Sequence, residues 1–180
     1  MLGYIAVDVS VLNKSSIKIR FRHATLVVDP ASDTGKTTSD AIVLLNGTNS
    51  DLSKVADYRI VISGPGEYEI NGVKVAGVRI DNGFVYNIIG DGLSIVLGKT
   101  KEVSKLKEEF SATCQIAILN VDSEFTQAVL TGLEPKVVVL YGDNKDAGAK
   151  ILDKESISSL RKFSVSKDKL PEEREVVTLG

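Results

Sequence analysis

The stretch Ile62-Ser-Gly-Pro-Gly-Glu-Tyr-Glu-Ile-Asn-Gly-Val-Lys-Val-Ala-Gly-Val78 combines a rigid turn with the start of a strand pair. Pro65 fixes its own φ between Gly64 and Gly66, which can take positive φ, so the chain reverses sharply after the run 59–63. Residues 67–70 then lead through Asn71-Gly72, a tight hairpin signal, into Val73-Lys74-Val75. Glu67 and Glu69 lie two apart in an extended chain and therefore share a face. Paired carboxylates can do acid-base work, but no second set of polar groups accompanies them, and they are expected on a solvated rim.

Upstream of this stretch the pattern is β. Ile5, Val7, Val9 and Val11 alternate with Ala6, Asp8 and Ser10; Ile17, Ile19 and Phe21 alternate with Lys18, Arg20 and Arg22. This period of two marks half-buried strands, with a hairpin over 13–16. Runs 24–29, 41–45 and 58–63 are nearly all apolar and are expected as strands buried on both faces. Residues 53–57 leave room for a turn or two of helix.

Downstream, 84–89 and 93–97 flank Gly90-Asp91-Gly92, a second hairpin. Val103, Leu106 and Phe110 recur at helical spacing among Lys and Glu, which predicts an amphipathic helix over 101–110. Residues 116–120 and 137–141 read as buried strands, with a helix across 124–133 capped by Asp122 or Ser123 between them. A helix over 154–162 and short strands near 163–165 and 176–179 complete the order. A β-rich half followed by alternating β and α suits two sheets packed face to face with helices outside.

Composition bounds the function classes. The 180 residues carry 43% hydrophobic content, ample for the core of one domain, and no linker or repeat divides the chain. With 22 basic and 24 acidic residues the net charge is -2, and no Lys/Arg run stands out to meet a phosphate backbone, so nucleic-acid binding is not expected. The single cysteine, Cys114, excludes an intramolecular disulfide framework and fits a reducing compartment. With no continuous apolar leader and no run of membrane-span length, a cytoplasmic location without membrane association is expected.

Four stretches, in order, resemble segments of the metallo-β-lactamase fold superfamily, in the branch near ascorbate-phosphate lactonases and small predicted zinc-dependent hydrolases. They are Leu12-Asn-Lys-Ser-Ser-Ile-Lys-Ile19, Ala24-Thr-Leu-Val-Val-Asp-Pro30, the Gly64-Pro-Gly-Glu-Tyr-Glu69 motif, and Lys167-Asp-Lys-Leu-Pro-Glu-Glu-Arg-Glu-Val-Val177. The resemblance implies an α+β, four-layer αββα sandwich, with two mainly antiparallel sheets packed face to face and helices outside, as a single domain over 1–180. It also implies a zinc or other divalent-metal site held by His and Asp, with a bound water made nucleophilic at neutral pH.

The ligands that the resemblance implies are not in this sequence. Asn46-Gly-Thr-Asn-Ser-Asp-Leu52 matches the superfamily's His-x-His-x-Asp-His segment, so Gly47, Asn49 and Leu52 stand where histidines would, and only Asp51 keeps a ligand-type side chain. Lys99 takes the place of the metal-bridging carboxylate, Gly142 follows the strand where the last histidine is carried, and Lys14 occupies the early histidine position. Glycine and leucine offer no side-chain donor, and an ammonium repels a dication. A metal-free, non-catalytic protein with a binding or scaffold role is therefore expected, with no cofactor and with an unidentified protein or small molecule as partner. The alternative is a divergent hydrolase of a small, phosphorylated substrate. It would need Asp29, Asp33, Asp51 and Asp143 to converge around Mg²⁺ or Ca²⁺. A third expectation is a pocket in which Lys14 and Lys99 take a small anion.

Other candidates reduce to simpler roles. His23, the only histidine, falls at a strand turn without partners for a metal site or triad. Pro30-Ala-Ser-Asp-Thr-Gly-Lys-Thr37 imitates a phosphate-binding loop but lacks the leading glycine and precedes a strand, so a mobile loop is expected. Cys114 precedes a buried strand with no basic neighbour and is expected to pack. Edge strands of such sandwiches invite cover by a second copy, which makes a homodimer an expectation.

Overall fold

Alternating and apolar runs of the first half become β1 (Val7–Val11), β2 (Ile17–Arg20), β3 (Thr25–Val28), β4 (Thr37–Thr38), β5 (Ala41–Val43), β6 (Val55–Ala56) and β7 (Ile60–Ile62). The opening motif forms β8 (Gly66–Ile70) and β9 (Val73–Ile80), followed by β10 (Gly83–Gly90), β11 (Leu93–Lys99), β12 (Ile116–Asn120), β13 (Val137–Tyr141), β14 (Lys162–Val165) and β15 (Glu175–Thr178). The structure is a computed structural model that describes residues 5–46, 49–107, 110, 113–123, 125–152 and 159–180.

Both hairpin signals work as their chemistry requires. Asn71 and Gly72 take φ of 47° and 88°, and Asp91 and Gly92 take 51° and 76°, the left-handed pair that matches the twist of the flanking strands.

One sheet has the order β14-β1-β2-β3-β5-β7, and the second β15-β13-β12-β11-β10-β9-β8. Each sheet is antiparallel on one side and parallel on the other: β1, β2, β3 and β14 pair antiparallel while β3, β5 and β7 run parallel. In the second sheet β8 to β11 form antiparallel pairs, while β11, β12, β13 and β15 run parallel. The inward faces meet in one core, with Ile19, Leu26 and Val43 on one side and Val75, Ile88, Ile95, Ile118 and Val139 on the other.

The outer layers differ from each other. Val85, Val96, Leu119, Val138 and Leu140 on the outer face of the seven-stranded sheet lie in one cluster with α1 (Thr100–Val103), a 3-10 turn over Gln127–Leu130, and α2 (Lys145–Ile151). Outside the six-stranded sheet, Val27 and Ile42 are covered by Val55, Leu52 and Tyr58, from a 3-10 turn (Leu52–Lys54) and the small β4–β6 ribbon. No helix among the described residues is long and apolar enough to cross a membrane.

Three helical expectations change. The segment 101–110 begins in the one-turn α1, turns at 104–105 and is helical again at Phe110, and Val103, Leu106 and Phe110 all reach the same apolar cluster. Residues 108–109 lie outside the described residues. Among the described residues 125–133 only the 3-10 turn Gln127–Leu130 forms, with extended Thr126 as its N-cap, and residue 124 lies outside the described residues. Asp122 cannot cap a helix there because its carboxylate takes the Lys99 ammonium at 2.9 Å. Of the helix read over 154–162, residues 154–158 lie outside the described residues, and Lys162 belongs to β14, paired with Ser10 of β1. The helix α2 escaped the pattern reading. The 30–36 loop is pinned as well: buried Thr34 accepts from Ala31 N–H at 2.9 Å and from the Asn13 amide at 2.8 Å.

Candidate functional site at the strand ends

The parallel strands β11, β12 and β13 end in register, so Lys99, Asn120 and Tyr141 form one row across the sheet. Each continues the inward-facing parity of its strand, after Leu97, Ile118 and Val139 respectively. The three side chains therefore enter the sandwich at its edge. Asn120 is 4% exposed and Tyr141 fully buried, and the Tyr141 hydroxyl lies near the Asn120 amide without the geometry of a hydrogen bond. Burial raises the Tyr141 phenol well above its ordinary value, with the negative charge of Asp29 adding to the effect, so it is protonated at neutral pH.

Asp29 faces this row from the opposite sheet. It ends β3 with φ of 43° and accepts the Leu45 N–H at 2.9 Å, tying β3 to the chain leaving β5. Desolvation pushes its carboxyl up to about 6, against the lowering effects of the Leu45 N–H and the Lys99 charge. Lys99 is itself neutralised by Asp122. The site thus holds the Asp29 carboxylate, the Lys99–Asp122 ion pair, one amide and one phenol.

The remaining expected residues go elsewhere. Asp51 caps its own 3-10 turn, accepting from Ser53 Oγ at 2.6 Å and Ser53 N–H at 3.1 Å, and the Ser53 hydroxyl holds its carboxyl below the usual range. Asp33 takes the Asn13 amide at 2.8 Å. Lys14 and Asp143 stand 3.9 Å apart on the surface, at the mouth of a cavity of about 350 Å³ that Gly142 also lines. Gly47 lies outside the described residues, Asn49 takes φ of 62°, and Leu52 packs under the six-stranded sheet. The convergence of Asp29, Asp33, Asp51 and Asp143 does not occur: no group of three or more His, Cys, Asp or Glu among the described residues could hold a metal ion. Each aspartate is instead satisfied by a donor near it. Lys14 lines the cavity beside Gly142 and Lys99 does not. His23 is exposed at the β2–β3 turn, and Cys114 is buried with its thiol pushed up to about 12 by desolvation.

No protein-family model matches the chain, and no curated protein matches it. Solved structures do. A protein described as a Zn-dependent hydrolase of the metallo-β-lactamase superfamily, from Thermotoga maritima, superposes with a TM-score of 0.71 at 21% identity over 96% of this chain and 98% of its own. The chain has the metallo-β-lactamase fold. A protein described as a metal-dependent hydrolase from Parabacteroides distasonis is similar at TM-score 0.62 and 18% identity, covering 82% of this chain and 89% of its own. The metallo-β-lactamase fold protein YhfI from Bacillus subtilis is similar at 0.58 and 9%, covering 89% and 100%.

A metallo-β-lactamase fold implies a metal at these strand ends, and the donors here do not fit one. Besides Asp29, the inward row offers an ammonium, an amide and a protonated phenol, and Gly142 offers no side chain at all. A dication in this place would meet the Lys99 charge, with Asp29 the one carboxylate of the site not in an ion pair.

Asp29 makes the site pH-dependent. A carboxyl raised above its unfolded value contributes stability that is complete below that value and is lost as pH rises through the folded one, here from about 3.8 to about 6. The full shift corresponds to about 3 kcal/mol, and partial solvent contact reduces the expected effect to about 1–2 kcal/mol. Asp29→Asn keeps the acceptor for Leu45 N–H and removes the charge. The gain of this variant over the parent is expected to be larger at about pH 7.5 than at about pH 4.5, read from urea melts. An equal difference at both pH values is the contrary result.

Proposed function

We propose that this protein is a metal-free, non-catalytic member of the metallo-β-lactamase fold, kept for binding or scaffolding. The observation that carries the reading is the Lys99–Asp122 ion pair at the end of β11, a partly exposed ammonium set where the fold would otherwise gather metal ligands. Electrostatics support it further: desolvation raises the Asp29 carboxyl, and the Lys99 charge offsets that only in part.

No reaction step follows from these residues. The Tyr141 phenol is protonated and enclosed, Lys99 is occupied, and Asp29 spends its carboxylate on the Leu45 N–H. Elemental analysis of protein purified without a metal-affinity step is expected to find only traces of transition metal. Zinc, manganese or iron at one or two equivalents overturns the reading. A hard-cation hydrolase is tested in the same preparation: Mg²⁺ or Ca²⁺ is expected to leave the melting temperature unchanged, whereas a saturable rise would support ligation by the aspartates.

A further inference from the structure

The strand β8 ends the seven-stranded sheet, and its outer edge is unpaired. The two-residue turn at Asn71-Gly72 fixes which backbone groups face outward. Ile70 pairs with Val73 and Tyr68 with Val75, so those residues turn N–H and C=O toward β9, while Glu67 and Glu69 turn theirs away from the sheet. The side chains alternate too. Tyr68 and Ile70 join the core, and Glu67 and Glu69 stand on the opposite face. Neither glutamate forms an ion pair or side-chain hydrogen bond among the described residues, although Lys74 is the cross-strand neighbour of Glu69.

Beside them a groove of about 470 Å³ crosses the sheet, lined by Glu67, Glu69, Lys74, Ala76, Asn87 and Ile89. Ala76 keeps it shallow at β9, and Ile89, 47% exposed, gives it an apolar far wall. A basic side chain from a strand added outside β8 sets its charge beside the glutamates.

We propose that β8 binds an extended peptide as an added strand, with Lys or Arg at alternate positions opposite Glu67 and Glu69 and apolar residues between them. Two free N–H and two free C=O groups supply the ladder, and the carboxylates select the charge. A second copy of this chain is the wrong occupant. An antiparallel pair of β8 strands about Tyr68 would set Glu67 of each copy against Glu69 of the other, like charges face to face. The proposal is independent of metal content.

The test uses fluorescein-labelled Lys-Val-Lys-Val-Lys-Val-Lys, with Glu-Val-Glu-Val-Glu-Val-Glu as the control, by anisotropy on the full chain. Saturable binding of the basic peptide alone is expected. The double variant Glu67→Lys with Glu69→Lys is expected to weaken it about tenfold or more and to take up the acidic peptide, with an unchanged thermal melt because both positions are exposed. Glu69→Val keeps the outward N–H and Glu69→Pro removes it without touching the ladder to β9, so the proline variant should bind more weakly than the valine one. Absence of binding, indifference to the charge reversal, or equal affinity of the proline and valine variants overturns the proposal. So does a parent dimer in analytical ultracentrifugation that Glu69→Pro dissolves, which would make a second copy the occupant.

Discussion

Gly77→Ala is expected to destabilise the protein by about 3 kcal/mol, lowering the melting temperature by roughly 6–12 °C for a domain of this size. A Cβ at position 77 would stand 2.7 Å from the Gly64 carbonyl oxygen and 2.8 Å from the Tyr86 ring. Neither neighbour can yield. Gly64 belongs to the Gly-Pro-Gly turn, where Pro65 restricts the backbone, and its carbonyl accepts from the Tyr68 hydroxyl at 3.3 Å. Tyr86 is fully buried with its hydroxyl donated to Leu44 O at 2.9 Å, which crosses from one sheet to the other. The turn that opens β8 therefore rests on a strand without a side chain. A melting temperature within about 1 °C of the parent would show that this approach carries no stability.

Gly142→His is expected to cost about 3–5 kcal/mol and to yield no metal binding. Gly142 takes φ of 99°, and a Cβ there would meet Asn120 Oδ1 at 2.6 Å and the Val121 carbonyl at 3.0 Å. Strain and overlap add. Gly72→Ala provides the control, since Gly72 also has positive φ, 88°, but nothing lies within 4 Å of its Cβ, and about 1 kcal/mol is expected. Equal losses at 72 and 142 would remove the Asn120 contact from the account. Stoichiometric zinc in soluble, folded Gly142→His protein would contradict the mismatch of donors at the strand ends.

Much of the fold was legible because its signals are local. Asn71-Gly72 and Asp91-Gly92 demand left-handed turns, and the runs around Ile19, Val43, Ile118 and Val139 demand burial. Helices were less legible. Val103, Leu106 and Phe110 do reach one cluster, but α1 ends at Val103 and the chain turns at 104–105, so helical spacing alone did not give the bounds. The helix α2 was hidden for the opposite reason. Its buried positions are Gly148 and Ala149, small residues that leave no strong apolar stripe to read.

The site divides in the same way. That Gly47, Asn49, Leu52, Lys99 and Gly142 are not His, Asp or Glu was visible in the sequence, but the partners of Lys99 were not. Asp122 was read as a helix cap because capping is a local pattern, whereas its contact with Lys99 depends on two strands ending side by side. Asn120 and Tyr141 carried one usable signal: each closes an apolar run that is in register with the run ending at Lys99.

The pairing of β14 with β1 brings Val165 against Val7, and β15 then joins the other sheet beside β13. During synthesis neither sheet can be finished until residues beyond 160 have left the ribosome, so the nascent chain waits with β1 and β13 as open edges. Closing such a long loop late makes folding slow and exposes those edges to other chains. Ribosome-bound chains stalled with residues up to about 155 exposed should accordingly resist proteolysis far less than chains in which β14 and β15 are also exposed, and a chaperone that shields strand edges would act on this protein before those two strands arrive.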